Sequence, residues 1–239
     1  MKIVVVRNVL GDNERRAARL RKKFAAGRSL VVNLLGSPGA GKTALLERLI
    51  PMLRRRRLSV AVIEGDIATS YDAERIEQAG APAVQITTRG VCHLDAAMVG
   101  AALRKLGKLP DVLFIENVGN LVCPAAFALG ESERLVVLSV PEGDDKPEKY
   151  PEAFAGASAL VINKLDLGAH CKFNKARAVL AARSVNPALA VFETSCADGF
   201  GLGELAAWLI ARRAAALGLH RPAAGTGPLA TRRPGRYNP

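Results

Sequence analysis

Residues 36–43, Gly-Ser-Pro-Gly-Ala-Gly-Lys-Thr, follow an apolar run and match the pattern G-x-x-x-x-G-K-[ST]. Glycines let such a loop wrap a phosphate with its backbone N–H groups, and the following helix adds the positive end of its dipole. Lys42 is expected to neutralise the β- and γ-phosphate oxygens, and Thr43 to offer its hydroxyl to Mg²⁺. The segment therefore predicts a nucleotide site whose phosphate-binding residues are Gly36, Ser37, Gly39, Ala40, Gly41, Lys42 and Thr43.

Two carboxylates follow other apolar runs and are candidates for chemistry at the phosphates. Glu116 ends the run 112–115, and Asp66 comes just after the run 59–63. Ligands of open parallel sheets bind at the carboxyl ends of the strands, so both side chains are expected at one edge. We predict that Lys42, Asp66 and Glu116 are catalytic. We also predict that Thr43, Asp66 and Glu116 hold Mg²⁺, with orientation of the attacking water as a second possible role for Asp66.

A third motif, Asn163-Lys164-Leu165-Asp166, follows the apolar run 159–162 and concerns the base. The carboxylate of Asp166 can accept from N1–H and N2–H₂ of guanine, a pair of donors that adenine lacks. Lys164 is expected to lie along the base, Asn163 to tie the loop together, and the turn at Ser195 to present a backbone N–H to the guanine O6. The motif therefore favours GTP and GDP over ATP.

Two cysteines and a histidine form a separate candidate site, for a metal ion. Cys92 and His93 are adjacent in sequence, and Cys123 comes four residues after Gly119. Two thiolates and an imidazole suit Zn²⁺ or Ni²⁺, and three ligands leave a position for water or for a further ligand. Isolated buried cysteines are, however, commonly inert core residues. The residues alone leave a metal site and a structural role both open.

The elements that must position these residues are seven short apolar runs, at 30–35, 59–63, 83–86, 112–115, 135–140, 159–162 and 189–192. Segments with helical spacing separate most of them, and this alternation predicts an α/β fold with a mostly parallel central sheet flanked by helices on both faces. We expect an N-terminal strand and helix at 1–28, a nucleotide-binding domain with the metal site at 29–218, and a flexible basic tail at 219–239.

Composition limits the classes of function. The 239 residues carry a net charge of +12, but the basic residues are concentrated at 14–28, 54–57 and 220–239, without interleaved aromatic side chains. Nucleic-acid binding is therefore not expected. Four cysteines without a dense spacing pattern argue against a disulfide scaffold, and no apolar stretch reaches the length of a membrane span. These features favour a cytoplasmic protein without membrane contact.

Four segments resemble the hydrogenase nickel-incorporation GTPases, the HypB family. They are Glu64-Gly65-Asp66, the run 90–96 (GVCHLDA), the run 116–124 (ENVGNLVCP) and the run 142–147 (EGDDKP). The resemblance extends from about residue 6 to 209 and implies the P-loop fold of the signal-recognition and nitrogenase-iron-protein (SIMIBI) class. It implies slow, Mg²⁺-dependent hydrolysis of GTP to GDP and phosphate by a homodimer that forms with GTP. It also implies that Cys92, His93 and Cys123 bind Ni²⁺ or Zn²⁺ at the dimer interface.

The same resemblance implies a metallochaperone that loads nickel into a [NiFe]-hydrogenase. Its expected partners are a small nickel-binding accessory protein of the maturation system and the precursor of the hydrogenase large subunit. The chain lacks the Cys-rich and His-rich stretches of some members, so nickel storage is not expected, and Cys171, His170 and Cys196 are interpreted as structural. The alternative is a urease accessory GTPase, although that family has Cys-Pro-His where this chain has Cys92-His93. A small-molecule kinase would not need the guanine motif.

Overall fold

The computed structural model describes residues 4–66, 71–88 and 90–218. Seven parallel strands form one sheet in the order β3-β2-β4-β1-β5-β6-β7. They are β1 (Leu30–Leu35), β2 (Val60–Asp66), β3 (Ala83–Thr87), β4 (Val112–Glu116), β5 (Glu133–Ser139), β6 (Ala159–Asn163) and β7 (Ala190–Glu193). Each strand coincides with one of the apolar runs, so the parallel α/β fold predicted from the sequence is confirmed.

Helices cover both faces of this sheet. The described helices are α1 (Val4–Ala26), α2 (Lys42–Arg55), α3 (Tyr71–Gln78), α4 (Ala96–Leu106), α5 (Cys123–Ala126), α6 (Lys146–Lys149), α7 (Pro151–Ala155), α8 (Lys175–Val185) and α9 (Leu202–Ala216). On one face α2, α3 and α9 pack on the sheet. On the other, α1 and α4 cover the β2–β4–β1 half, and α7 and α8 cover the β5–β6 half. Because both faces are covered, the strands are apolar on both sides.

The register of the sheet places the candidate functional residues at one edge. Glu64 of β2 lies directly opposite Glu116 of β4, and β1, which leads into residues 36–43, is the other neighbour of β4. All strands are parallel, so their carboxyl ends and the loops that follow them meet at this edge. The sequence segments predicted to carry chemistry are thereby brought together by topology alone.

One expectation needs correction. A strand was expected before the first helix, within residues 1–28, but α1 begins at Val4 and is continuous to Ala26. A strand needs a neighbouring strand for its backbone hydrogen bonds, and residues 4–26 pair with none of the seven described strands. A helix satisfies those bonds internally, and the β preference of valine is weak beside that requirement. Residues 1–3 and the expected tail at 219–239 lie outside the described residues.

Across the described ranges, none of the helices combines the length and the hydrophobicity that a membrane crossing requires.

Candidate nucleotide and metal centre

Residues 36–43 form a loop between β1 and α2 whose shape depends on glycine. Gly39 and Gly41 have positive φ angles of 78° and 93°, and a Cβ atom on Gly41 would lie 2.5 Å from Asn163 Nδ2. Lys42 is buried, and its Nζ donates to the carbonyl oxygens of Gly36 and Ser37 at 3.3 Å each. The loop is therefore held in a closed curve, with the lysine ammonium inside it and the N-terminus of α2 at its end.

The guanine motif contacts this loop directly. Asn163 donates to the carbonyl of Ala40 at 3.1 Å, and Lys164 Nζ donates to that of Gly39 at 2.6 Å. Asp166 is exposed, and its Oδ1 accepts a hydrogen bond of 2.8 Å from the Ser195 hydroxyl. Asn163 thus ties the two loops together as expected, and Ser195 orients the carboxylate through its side chain.

The two predicted carboxylates line one cleft with the phosphate loop. The cleft has a volume of about 410 Å³, and its lining includes Lys42, Thr43, Asp66 and Glu116. The Thr43 hydroxyl donates to Glu116 Oε1 at 3.0 Å, whereas the buried Glu116 Oε2 has no hydrogen-bond partner among the described residues. A hydroxyl, an orphaned carboxylate oxygen and a second carboxylate at one edge are a donor set that fits Mg²⁺.

Sequence reasoning missed the role of Glu64 in this cleft. Burial, and next the charge of Glu116 on the adjacent strand, raise the pKa of Glu64 to about 10. Burial also raises the pKa of Glu116, to about 7, although Lys42 opposes that change. Two buried carboxylates on neighbouring strands therefore compete for one proton beside a lysine. Only the strand register brings them face to face, and the sequence pattern gives no sign of it.

Arg75 is a second cleft residue that the sequence did not single out. It lines the same cleft from α3, and Glu47 of α2 accepts two hydrogen bonds of 2.8 Å from its guanidinium group. Its Nη1 also donates to Asp72 at 3.0 Å, and the hydrogen bond with Glu47 raises its pKa. Arg75 thus places a guanidinium group, paired with Glu47 and Asp72, in the lining of the cleft.

The two cysteines and the histidine come together from different parts of the chain. Ligand atoms of Cys92, His93 and Cys123 all lie within 4.8 Å of one another. Two sulfur ligands of one tetrahedral Zn²⁺ lie about 3.8 Å apart, since each bond is about 2.3 Å long. The cluster therefore already has nearly the size of a coordination shell. Its composition, two thiols and an imidazole, is suited to Zn²⁺ or Ni²⁺.

The surroundings of the cluster favour a metal over an inert core. His93 Nδ1 is buried without a hydrogen-bond partner in the described structure, and the ring stacks on Phe127 with centroids 3.8 Å apart. Burial lowers the pKa of His93, which favours the neutral imidazole that binds metals. A hydrogen bond with Cys92, and next burial, raise the pKa of the Cys123 thiol. A bound cation would reverse that change by holding the thiolate.

The remaining cysteines lie elsewhere. Cys171 packs against the cluster of apolar side chains around α7 and α8, and the Cys196 thiol lies 3.5 Å from Asn163 Oδ1 with its pKa raised by burial. His170 is exposed at the end of a 3₁₀ helix. Within the described residues, none of the three belongs to a group of potential metal ligands. Their interpretation as structural residues stays a prediction.

The fold and the cleft define a class: a P-loop nucleotide-binding protein with a parallel sheet. The same fold is present in the signal recognition particle 54 kDa protein from Aeropyrum pernix, solved with GDP, at a TM-score of 0.54, 17% identity and coverage of 80% of this chain and 48% of that one.

The family model described as "CobW/HypB/UreG, nucleotide-binding domain" matches residues 30–193, and the chain belongs to this family. It is 51% identical over 210 residues to the hydrogenase maturation factor HypB of Azotobacter vinelandii, covering 87% of this chain and 69% of that protein. A crystal structure of HypB from Helicobacter pylori in complex with nickel superposes with a TM-score of 0.80, at 35% identity, over 90% of this chain and all of that one. The resemblance to the HypB proteins is thereby confirmed.

Proposed function

We propose that the protein hydrolyses GTP to GDP and phosphate and uses this reaction to control a nickel site during maturation of a [NiFe]-hydrogenase. The observation that carries the proposal is the placement of two sites on one segment. Glu116 faces the phosphate loop, and Cys123, seven residues later, belongs to the thiol and imidazole cluster. The names of the similar proteins, a hydrogenase maturation factor and a nickel complex, support the same function.

In the nucleotide cleft, each residue has a distinct proposed role. The backbone N–H groups of residues 36–43 and the Lys42 ammonium bind the phosphates and stabilise the charge that develops on them. Thr43, Asp66 and Glu116 hold Mg²⁺, which supplies further positive charge at the phosphate oxygens. Asp66 is also placed to orient the attacking water. Asp166 selects guanine through its two N–H donors, while Asn163 and Lys164 keep the base loop against the phosphate loop.

The metal cargo is bound by Cys92, His93 and Cys123. Soft thiolates and an imidazole bind Ni²⁺ and Zn²⁺ well, and three ligands leave a position from which cargo can be passed on. Both cysteines and the histidine are partly exposed, so an acceptor can approach. We further propose that a second copy of the chain joins at this surface when GTP is bound, and that the acceptors are a small nickel-binding accessory protein and the hydrogenase large-subunit precursor in the cytoplasm.

A short backbone path joins the two sites. Asn120 forms an antiparallel bridge with Gly36, the first residue of the phosphate loop, and its Nδ2 contacts the Cys92 carbonyl at 3.4 Å. A Cβ atom on Gly119 would lie 2.9 Å from the ring of Pro38, so the two loops are in close contact. A change at the γ-phosphate can therefore move Cys123 relative to Cys92. A ligand shifts such an equilibrium only through its differential affinity for the two states.

The first experiment is titration of the purified protein with Ni²⁺ and Zn²⁺, with its oligomeric mass, in GDP and in a non-hydrolysable GTP analogue. Cys92→Ser and Cys123→Ser are the test variants, and Cys171→Ser is the control. The proposal predicts a metal site that needs both test cysteines, with an affinity that depends on the nucleotide. Equal affinity in both nucleotide states would refute the coupling, and metal binding independent of both cysteines would refute the assignment of the site.

A urease accessory GTPase of the same class is the alternative. The family model includes such proteins, but the adjacent Cys92-His93 pair and the additional Cys123 favour the hydrogenase factor. Activation of a urease in place of a hydrogenase by the purified protein would reverse this choice.

A further inference from the structure

A buried asparagine of α1 contacts both chain segments that carry the metal ligands. Asn13 is 6% exposed, and its Oδ1 accepts from the backbone N–H of Ala96 at 2.8 Å. Its Nδ2 donates to the backbone carbonyl of Ala128 at 2.9 Å. One carboxamide group therefore bridges two segments that are more than 30 residues apart in sequence.

The two segments, residues 92–96 and 123–128, are called here the first and second ligand arms. The first arm carries Cys92 and His93 and ends at Ala96, where α4 begins. The second arm begins with Cys123 and includes Phe127, whose ring stacks on His93, immediately before Ala128. Asn13 thus connects the last residues of the two arms, Ala96 and Ala128. A change in the distance between these two residues would change the distance between Cys92 and Cys123.

The chemistry of this contact is specific. The N–H of Ala96 lies in the first turn of α4, where backbone donors have no partner within the helix, and the Asp95 side chain accepts from Met98 instead. Asparagine is unfavourable in a helix interior because its side chain competes for backbone groups. In this protein the Asn13 side chain does not compete with α1, because both of its hydrogen bonds join backbone groups outside that helix. An apolar side chain of equal size would leave the buried N–H of Ala96 and the partly buried carbonyl of Ala128 without this partner.

We propose that Asn13 is a positioning residue for the metal site. Its two hydrogen bonds hold the ligand arms at the separation that the three ligands require. This inference rests on the proposed function, because it assumes that Cys92, His93 and Cys123 bind the metal. It adds α1, which precedes the matched nucleotide-binding domain of residues 30–193, to the machinery of the site. Groups that surround metal ligands and orient them commonly change metal affinity by about 10- to 100-fold when altered.

A second buried connection between the arms makes the expected effect partial. Asn117 accepts from the N–H of Leu94 in the first arm at 3.1 Å, and Arg134 donates to the carbonyl of Ala125 in the second arm at 3.0 Å. Asn33 and Glu131 complete the chain between them through hydrogen bonds of 3.3, 3.2 and 2.7 Å. This network of hydrogen bonds begins at Asn117, the residue after Glu116. Asn13 connects the arms independently of that network, from α1. Loss of Asn13 is therefore expected to loosen the site without dismantling it.

The test compares Asn13→Leu and Asn13→Asp with two controls on the same helix. Arg16→Ala changes an exposed side chain, and Leu20→Ala weakens the apolar packing of α1 while both hydrogen bonds of Asn13 to the arms stay in place. Ni²⁺ affinity, the thiolate-to-nickel charge-transfer absorption and GDP affinity are measured for each folded protein. We expect Asn13→Leu to weaken Ni²⁺ binding by about tenfold and to shift the absorption, with GDP affinity unchanged. Asn13→Asp, which keeps the acceptor for Ala96, is expected to lose less.

Two results would overturn the inference. One is an unchanged Ni²⁺ affinity and spectrum in the Asn13 variants; the other is an equal loss in Leu20→Ala, which would show that only the docking of α1 matters. Hydrogen exchange in the unaltered protein tests the idea without any variant, since nickel should slow exchange at the Ala96 N–H, and an unchanged rate would count against this role of Asn13. Failure of the proposed metal site is recognised separately, because Cys123→Ser would then leave Ni²⁺ binding intact.

Discussion

The nucleotide cleft and the metal cluster lie side by side but are built in different ways. The phosphate loop is one continuous segment between β1 and α2, and its own glycines and Lys42 determine its curvature. The metal cluster is assembled from two arms, each contributing one or two ligands, and is held by side chains from α1, β1 and the segment before β5. A locally built site depends on few contacts, whereas an assembled one depends on every contact that sets the spacing of its parts. The predictions below test that difference.

Substitution of Lys42 is expected to have the largest effect. In Lys42→Ala the phosphates lose the ammonium group that stabilises developing charge, and GTP hydrolysis should fall about 10²- to 10³-fold. Metal affinity in the GDP state should stay within about twofold, because Lys42 contacts no residue of the ligand arms. Single-turnover hydrolysis and Ni²⁺ titration measure the two quantities, with the exposed Lys108→Ala as the control. A parallel loss of metal binding would show that the two sites are not separable.

Cys123→Ser tests the assembled site in the same way. Removal of one of three ligands should weaken Ni²⁺ binding by more than about 100-fold, beyond the usual effect of altering a group that only orients a ligand. Binding of GDP should be unchanged. The matched control is Cys171→Ser, which alters a thiol outside the cluster. Equal Ni²⁺ affinity in Cys123→Ser and the unaltered protein would show that the three side chains are close only through packing.

Asp166→Asn examines the base loop. In the proposed function the Asp166 carboxylate accepts from two N–H donors of guanine. Hydrogen bonds to a charged group contribute enough that GTP affinity should fall about 10- to 100-fold in the variant. Affinity for xanthosine nucleotides should rise, because xanthine has a carbonyl where guanine has an amino group, and an amide can donate to it. Competition binding with both nucleotides measures the change, and Asp198→Asn, on the neighbouring turn, is the control. Retained preference for guanine would remove Asp166 from the site.

Glu64→Gln is expected to have the smallest effect, on stability alone. The pKa of Glu64 is raised from about 4.5 to about 10 in the folded protein, so the folded state holds its proton more tightly than the unfolded state. The unaltered protein should therefore lose stability as the pH rises from 4.5 towards 10, while the variant is spared this loss. We expect the variant to be the more stable protein at pH 8, with little difference between the two proteins below pH 4.5.

Denaturant unfolding of nucleotide-free protein with a chelator measures this difference at several pH values. Glu152→Gln, an exposed glutamate of α7, is the control and should show no such trend. A variant that is less stable than the unaltered protein at pH 8 would show that the Glu64 carboxylate is stabilised as an anion beside Lys42.

The locally built features were largely predictable from the sequence. Each of the seven apolar runs overlaps one of the seven strands. Residues 36–43, Glu116 and residues 163–166 lie at or directly after the end of a strand, so their positions follow from topology. Parallel strands that are buried on both faces leave a strong pattern in sequence, and a phosphate loop needs glycines at set positions. The N-terminal strand was the exception, because residues 4–26 form a helix, whose backbone hydrogen bonds need no neighbouring strand.

The tertiary structure alone decided which side chains face one another across elements. The pairing of Glu64 with Glu116 depends on the register of β2 and β4, and the approach of Cys92 to Cys123 depends on how two loops pack. The contacts of Asn13 with Ala96 and Ala128 depend on where α1 docks. Such contacts join residues that are distant in sequence, so no local pattern encodes them. By itself the sequence determined the fold and the nucleotide loop, because these depend on residue type and short spacing, and it singled out Cys92, His93 and Cys123 as candidate metal ligands. Tertiary packing determined the raised pKa values of Glu64 and Glu116 and the two hydrogen bonds of Asn13. These depend on burial and on partners from distant parts of the sequence.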